Sequence, residues 1–218
     1  KDKMQETINK LIEANPLIVE TNHYKQHYLN MWVVDDNKLC YRYNPARNAF
    51  ATLPIGLDPS LWVYCLGVDL GWEDDNAFVV GAYHSHDPTL YIVDVFCKNK
   101  MTFNQVDDKV LELMKQYPIS RVTIDGANKQ GVESMRARSQ VPYEAVDKND
   151  KVTHIELFNS DLVQGKIKLG PAAVSYKEEM GQLVWISDGD KIRIPKKEHP
   201  NCPNHRADAG LYMWRMCF

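Results

Sequence analysis

The order of patterned segments predicts an α/β fold, with three strand-like runs followed by alternating helices and strands. Leu61 to Leu70, Ala77 to His84 and Thr89 to Cys97 are rich in β-branched and aromatic residues, and are separated only by the turn signals "GWEDDN" and "SHDP". Such runs with such short connections read as an antiparallel meander. The period then changes. Phe103, Val106, Val110, Leu111, Met114 and Tyr117 recur at helical spacing and stop at Pro118, after which "ISRVTID" is a short, nearly continuous apolar strand.

Further elements follow the same logic. A helix is expected around Lys129 to Arg138, a strand at Tyr143 to Val146, and helices at Thr153 to Gln164 and Ala173 to Gly181. The stretch "QLVWISDGDKIRIP" reads as a hairpin turning at Asp188-Gly189. A last helix runs from His205 to Met216, with Asn204 as its N-cap. Upstream lie an amphipathic helix near Glu6 to Ala14 and irregular aromatic-rich sequence ending in the linker-like "LPIGLDPS". The division expected is therefore 1–57 as a connector and 58–218 as the folded domain.

The 218 residues, 44% hydrophobic and 25% charged, suffice for one substantial core plus an appendage. No run reaches the roughly 18 apolar residues of a membrane span, and "KDKMQETINK" has no apolar signal core. The expectation is a soluble intracellular protein without a membrane partner. Its first residue is not Met, as in a fragment or a trimmed chain. Five scattered cysteines without a Cys-x-x-Cys pair read as reduced thiols. A net charge of −3 argues against a general polyanion coat, yet "QGKIKLG" and "DKIRIPKK" concentrate basic residues late in the chain. These are either a local basic groove or solvated strand ends.

Two strands end abnormally. "YCLGVDLG" closes an apolar run with Asp69, and "RVTIDGANKQG" does so with Asp125. Either acid alone could be a turn or cap residue. If the strands are parallel neighbours, however, both carboxylates meet at the sheet edge where α/β sheets bind ligands. Like charges that close need compensation, which a divalent cation supplies. Asp208, in "NHRADAGLYMW", adds a third acid at the start of an otherwise apolar helix, where an exposed first-turn Asp favoured by the helix dipole is the plainer alternative.

The succession "LGVDLGWEDDNAFVV", "VTIDGANKQG", a basic hairpin and "NHRADAGLYMW" resembles the C-terminal nuclease domain of the large terminase subunit of tailed bacteriophages, over about residues 60 to 218. That resemblance implies an RNase H-like mixed sheet, flanked by helices and preceded by the connector from a packaging ATPase. It matches Asp69, Asp125 and Asp208 to the family's catalytic, metal-holding acids. It also implies double-stranded concatemeric viral DNA as substrate, a small terminase subunit and portal as partners, an ATPase domain upstream in the full-length chain, and the cytoplasm of an infected bacterium as location. The chain departs from a complete terminase in having no Gly-x-x-x-x-Gly-Lys-Ser/Thr loop, so no ATPase site is expected here. Some relatives carry Glu where Asp125 stands.

The implied chemistry is phosphodiester hydrolysis by two divalent cations, Mg²⁺ or Mn²⁺, for which carboxylates are suitable ligands. Asp69 is expected to bridge the pair, with Asp125 and Asp208 holding one ion each. His205 shares a helical face with Asp208 and is a further metal ligand or water-orienting group. A competing reading of "HPNCPNH" makes His199, Cys202 and His205 a zinc site. Lys166, Lys168, Lys191, Arg193, Lys196 and Lys197 are the expected phosphate contacts, carrying little sequence preference. Two other classes stay open: another RNase H-like nuclease or recombinase (resolvase, transposase or RNA:DNA hybridase), and a non-catalytic docking module.

Overall fold

The computed structural model describes residues 37–217 apart from Trp72, Ala127, Asp147 and Asp190, together with Ile8, Asn9, Ile12 and Glu13. The expected helix near Glu6 to Ala14 and the sequence up to residue 36 therefore lie largely outside the described residues. At the centre is a six-stranded mixed sheet of order β5-β4-β1-β2-β3-β6. Strands β1 (Trp62–Asp69), β2 (Asp75–His84) and β3 (Asp87–Asn99) form the antiparallel meander. Strand β4 (Ile119–Asp125) lies parallel to β1, β5 (Tyr143–Val146) parallel to β4, and β6 (Ile167–Leu169) parallel to the opening residues of β3.

Alternation along the strands builds two apolar layers. Leu66, Val68, Phe78, Val80, Val122 and Ile124 face one side, under α1 (Phe103–Gln116) and α2 (Lys129–Ser139). Helix α1 starts in a capping box, with Thr102 and Gln105 satisfying each other's backbone N–H, and buries Val106, Val110 and Leu113 at the spacing of one helical face. The opposite face, with Cys65, Ala77 and Val79, carries α3 (Lys151–Gln164), α4 (Val174–Met180) and α5 (His205–Cys217). The segment 37–50 packs on this second face: Cys40 and Tyr41 are fully buried there, and Asn48 donates to the carbonyls of Leu162 and Ile167.

Most of the expected elements form, with two differences. Strand β6 has no counterpart in the sequence pattern, because "KIK" has too few apolar residues to show one; it pairs with Leu90–Ile92 on the edge of β3 that faces away from β2. The hairpin turning at Asp188-Gly189 is smaller than its sequence suggests, since β7 (Ser187–Asp188) and β8 (Lys191–Ile192) pair over only two residues each. Beyond it the pairing continues irregularly, through the Arg193 N–H to the Ile186 carbonyl, the Ile186 N–H to the Lys197 carbonyl and a bridge between Trp185 and Glu198.

Helix α5 lies across β1 at Gly67. A Cβ at that position would stand 2.0 Å from the Ala209 carbonyl oxygen and 2.9 Å from Met213 Cβ, so only glycine permits this approach. The far end of α5 is held by Arg121 of β4, whose guanidinium donates to the Met216 carbonyl at 2.6 Å, a cation at the negative helix terminus. Because the obstacle at Gly67 is backbone, Gly67→Ala should destabilise the protein by about 3 kcal/mol, the upper end for an overpacked core. Urea unfolding of parent and variant measures this.

Candidate active site

Side-chain alternation decides where the acids point. Val122 and Ile124 face α1 and α2, so Thr123 and Asp125 face α5, as do Cys65, Gly67 and Asp69 on β1. The parallel register pairs Gly67 with Thr123 and Val68 with Ile124, so the next step sets Asp69 beside Asp125. Asp208 comes from the first turn of α5, one residue before the Ala209 that touches Gly67. All three acids are nearly buried, at 4%, 4% and 7% exposure for Asp69, Asp125 and Asp208.

Each acid faces a different basic side chain. His205 Nδ1 lies 2.9 Å from Asp69 Oδ2, and Lys148 Nζ lies 2.7 Å from Asp125 Oδ2. Lys151 Nζ lies 2.6 Å from Asp208 Oδ1 and 2.9 Å from Oδ2, and it also reaches Glu198 Oε2 at 2.6 Å. Burial raises the Asp69 carboxyl above its ordinary value, against the opposing hydrogen bond from His205. That hydrogen bond in turn raises the imidazole. Burial pushes Asp208 from 3.8 up to about 7; Lys151 opposes the shift, while the carboxylates of Glu198 and Asp69 add to it.

The N-terminal turn of α5 is fixed by another buried acid. Glu179 of α4 accepts the Ala207 backbone N–H at 2.7 Å through Oε1 and Arg206 at 2.8 Å through Oε2, and Arg206 continues to Asp75 at 3.0 Å. Asn204 occupies the N-cap position, its carbonyl accepting from the Asp208 N–H, while its side-chain amide donates to Glu198.

The donor set suits a hard divalent cation, being carboxylate oxygens with one imidazole beside them. Among the described residues, Glu198 Oε1 is buried without a hydrogen-bond partner, and Asp208 Oδ1 has its ion pair with Lys151 but no well-directed hydrogen bond. Buried acceptors of that kind call for a partner, and an ion is one. As they stand, however, no three His, Cys, Asp or Glu side chains among the described residues converge as a coordination shell. The carboxylates are each paired with a separate basic group, so holding an ion requires the pairs with Lys148 and Lys151 to open. A depression of about 350 Å³ beside Asp125, lined in part by Leu70, Phe103 and Asn128, adjoins the acids. A second, of about 460 Å³, lies beside His205 and is lined in part by Asp74 and Asn204.

The other expected site residues are dispersed. Lys166 and Lys168 do not lie beside the acids: β6 pairs with β3 at Leu90–Ile92, whereas the level of Asp69 runs through Ala77 to Cys97, and Lys168 Nζ is held by the Arg47 carbonyl at 2.6 Å. Arg193 is paired with Asp188 within its own hairpin, and Lys196 with Glu156 at 2.5 Å. Lys191 and Lys197 are exposed. The zinc reading fails on geometry, since His205 turns to Asp69, His199 Nδ1 accepts from the Asn201 N–H, and Cys202 Sγ donates to the Gln182 carbonyl. Sequence reasoning missed Lys148, Lys151 and Glu198. A signal existed for the lysines, because "DKNDK" follows a strand parallel to the one ending in Asp125 and so emerges at the same sheet edge.

The fold is thus a mixed sheet of the RNase H-like kind, with an acid at the end of each of two neighbouring parallel strands and a third on the closing helix. It is the fold of phage large-terminase nuclease domains. The chain is 19% identical over 216 residues to the large terminase subunit of Escherichia phage T5, covering 97% of this chain and 49% of that protein. The large terminase of the thermophilic bacteriophage D6E superposes with a TM-score of 0.70 at 16% identity, over 91% of this chain and 50% of that one. The nuclease domain of the bacteriophage SPP1 large terminase, solved with bound Mn, gives 0.59 at 17% identity, over 78% and 97% of the respective chains. The chain therefore spans about half the length of the T5 and D6E proteins. No protein-family model matches it.

These shifts have a consequence for stability. A carboxyl raised on folding binds more protons in the folded chain between its unfolded and folded values, so stability falls as pH rises through that window. For Asp208 the window is 3.8 to about 7. For His205, raised by its Asp69 partner, the stabilisation is complete below the unfolded value of 6.5 and is lost as pH rises through the folded one. Both act in one direction. In chelator the protein should melt lower at pH 8 than at pH 6, and Asp208→Asn should flatten the acidic part of that slope; thermal unfolding across pH measures it.

Proposed function

We propose that this chain is a divalent-metal-dependent endonuclease that cuts double-stranded DNA during viral genome packaging. The observation that carries the reading is the convergence of Asp69, Asp125 and Asp208 at one edge of the sheet, each nearly buried, in a fold shared with large-terminase nuclease domains. A packaging ATPase in the same full-length protein, a small terminase subunit and a portal are the partners this reading implies.

In this reading Asp69, Asp125 and Asp208 would hold two divalent cations, Mg²⁺ or Mn²⁺, with Asp69 as the shared ligand. The chemistry such ions supply when bound is neutralisation of the scissile phosphate, stabilisation of the leaving oxygen and a lowered pKa for the attacking water. His205 fixes the rotamer of Asp69 through its Nδ1 contact and stands where its ring can ligate an ion or orient water. Glu179 and Arg206 hold the turn that presents His205 and Asp208, so the acids are positioned by buried side chains and not by a loose loop. Lys191 and Lys197, exposed near the hairpin, are the remaining candidates among the expected basic residues for neutralising backbone phosphates.

Asp69→Asn, Asp125→Asn and Asp208→Asn should each abolish Mn²⁺-dependent plasmid nicking without lowering the melting temperature in chelator, because each removes one of several crowded carboxylates. Parental nicking rates in all three would remove the site from consideration. Cleavage of junctions or RNA:DNA hybrids in preference to duplex would instead favour a resolvase or hybridase. Replacing Lys191 and Lys197 together with Ala should flatten the salt dependence of duplex binding by about 0.9 logarithmic units for each phosphate that is no longer neutralised. A binding titration from low to moderate salt reads the slope directly.

A further inference from the structure

The connection between β5 and α3 carries two lysines, and both end on acids of the site. Strand β5 stops at Val146, in register with Asp125. Lys148 then returns to Asp125 Oδ2 at 2.7 Å, with its ammonium 5.7 Å from the ring centroid of Tyr212. Asp150 turns the chain at φ +55°, in the left-handed region that Asp tolerates better than most residues, and Lys151 becomes the first residue of α3. A lysine at a helix N-terminus opposes the helix dipole. What holds it there is visible on its other side: Asp208 and Glu198, each 2.6 Å from the same nitrogen. Lys151 itself is only 26% exposed.

An ammonium group and a divalent cation on the same carboxylate oxygens compete, since each weakens the hold of the other at contact distance. The lysine stem is flexible, so a displaced ammonium stays tethered at the sheet edge where a phosphodiester must lie to be cut. We propose that Lys148 and Lys151 are place-holders for the metal ions: without metal they neutralise Asp125 and the Asp208–Glu198 pair, and when metal enters they are released onto the DNA backbone. The proposal rests on the nuclease reading above. Its consequence is coupling. Metal frees the phosphate-binding groups, and bound phosphate keeps those groups off the acids, so each ligand raises the affinity for the other.

The test is Mn²⁺ binding by calorimetry in the absence of DNA, for the parent, Lys148→Met, Lys151→Met and Lys148→Arg. Removing a competing ion pair should tighten Mn²⁺ binding by about five-fold or more in each Met variant. Lys148→Arg keeps the competing charge and should stay near the parent. Saturating Mn²⁺ should raise the melting temperature of the Met variants further than that of the parent, whereas a purely structural ion pair would lower melting equally with and without metal. Duplex binding by fluorescence anisotropy should gain from added Ca²⁺ in the parent and lose most of that gain in the Met variants. If Lys151→Met does not fold, Lys148→Met decides the matter, because its side chain is 46% exposed. Unchanged or weaker Mn²⁺ binding in the Met variants overturns the proposal. Asp125→Asn separates the two levels: if it weakens Mn²⁺ binding while the lysine variants do not tighten it, the place-holder idea alone falls. If the parent binds no Mn²⁺, the nuclease reading falls with it.

Discussion

The close approach of α5 to β1 is the constraint on which the site depends. A helix crosses a sheet at a distance set by the side chains between them, and at Gly67 there is none. Ala209 and Met213 settle into that gap, which fixes both the depth and the rotation of the helix. Asp208 is then carried to within electrostatic reach of Asp69, whose own place is set by the β1–β4 register. Three acids distant in sequence are brought together by one small residue and one parallel pairing.

Burying several carboxylates together costs free energy, and the surroundings show how the cost is met. Asp107 on α1 is a useful contrast: it is fully buried, yet Tyr143 and Arg138 both donate to it at 2.6 Å. That acid has its partners and reads as architecture. Asp208 keeps an oxygen without a well-directed hydrogen bond and is pushed up to about 7. Its one cation, Lys151, is shared with Glu198, while Glu179, Arg206 and Arg121 anchor α5 at both ends. Strained or under-satisfied groups persist in folded proteins when neighbouring structure over-determines them.

Much of this was legible in the sequence because strand ends and helix starts leave local marks. Asp69 and Asp125 stood out as acids closing apolar runs, and Asp208 as a polar break in an apolar helix. His205 followed from helical spacing. The connecting segments were not legible in the same way. Lys148, Lys151 and Glu198 sit in short polar stretches where charge is ordinary, and only the fold reveals that all three gather at the acids of the site. The separation of Lys166 and Lys168 from the acids was illegible for a related reason. Composition marks a segment as basic but does not say to which edge, or which end, of a sheet it belongs; the three-residue pairing of β6 with the start of β3 decides that.

The same reasoning explains why acids and lysines are interleaved here instead of segregated. A pocket of carboxylates alone would repel the DNA backbone, while a purely basic groove would hold DNA without holding metal. Distributing ammonium groups onto the acids resolves the conflict only if the pairs can open, and their exposures fit that condition: the Lys148 side chain is 46% exposed and Lys151 26%, whereas Asp125 and Asp208 are almost fully enclosed. The more accessible partner in each pair is therefore the lysine. If the lysines are released as proposed, the charge presented to DNA is set by what occupies the acids and not by composition, and a chain with a net charge of −3 need not be a poor binder of a polyanion.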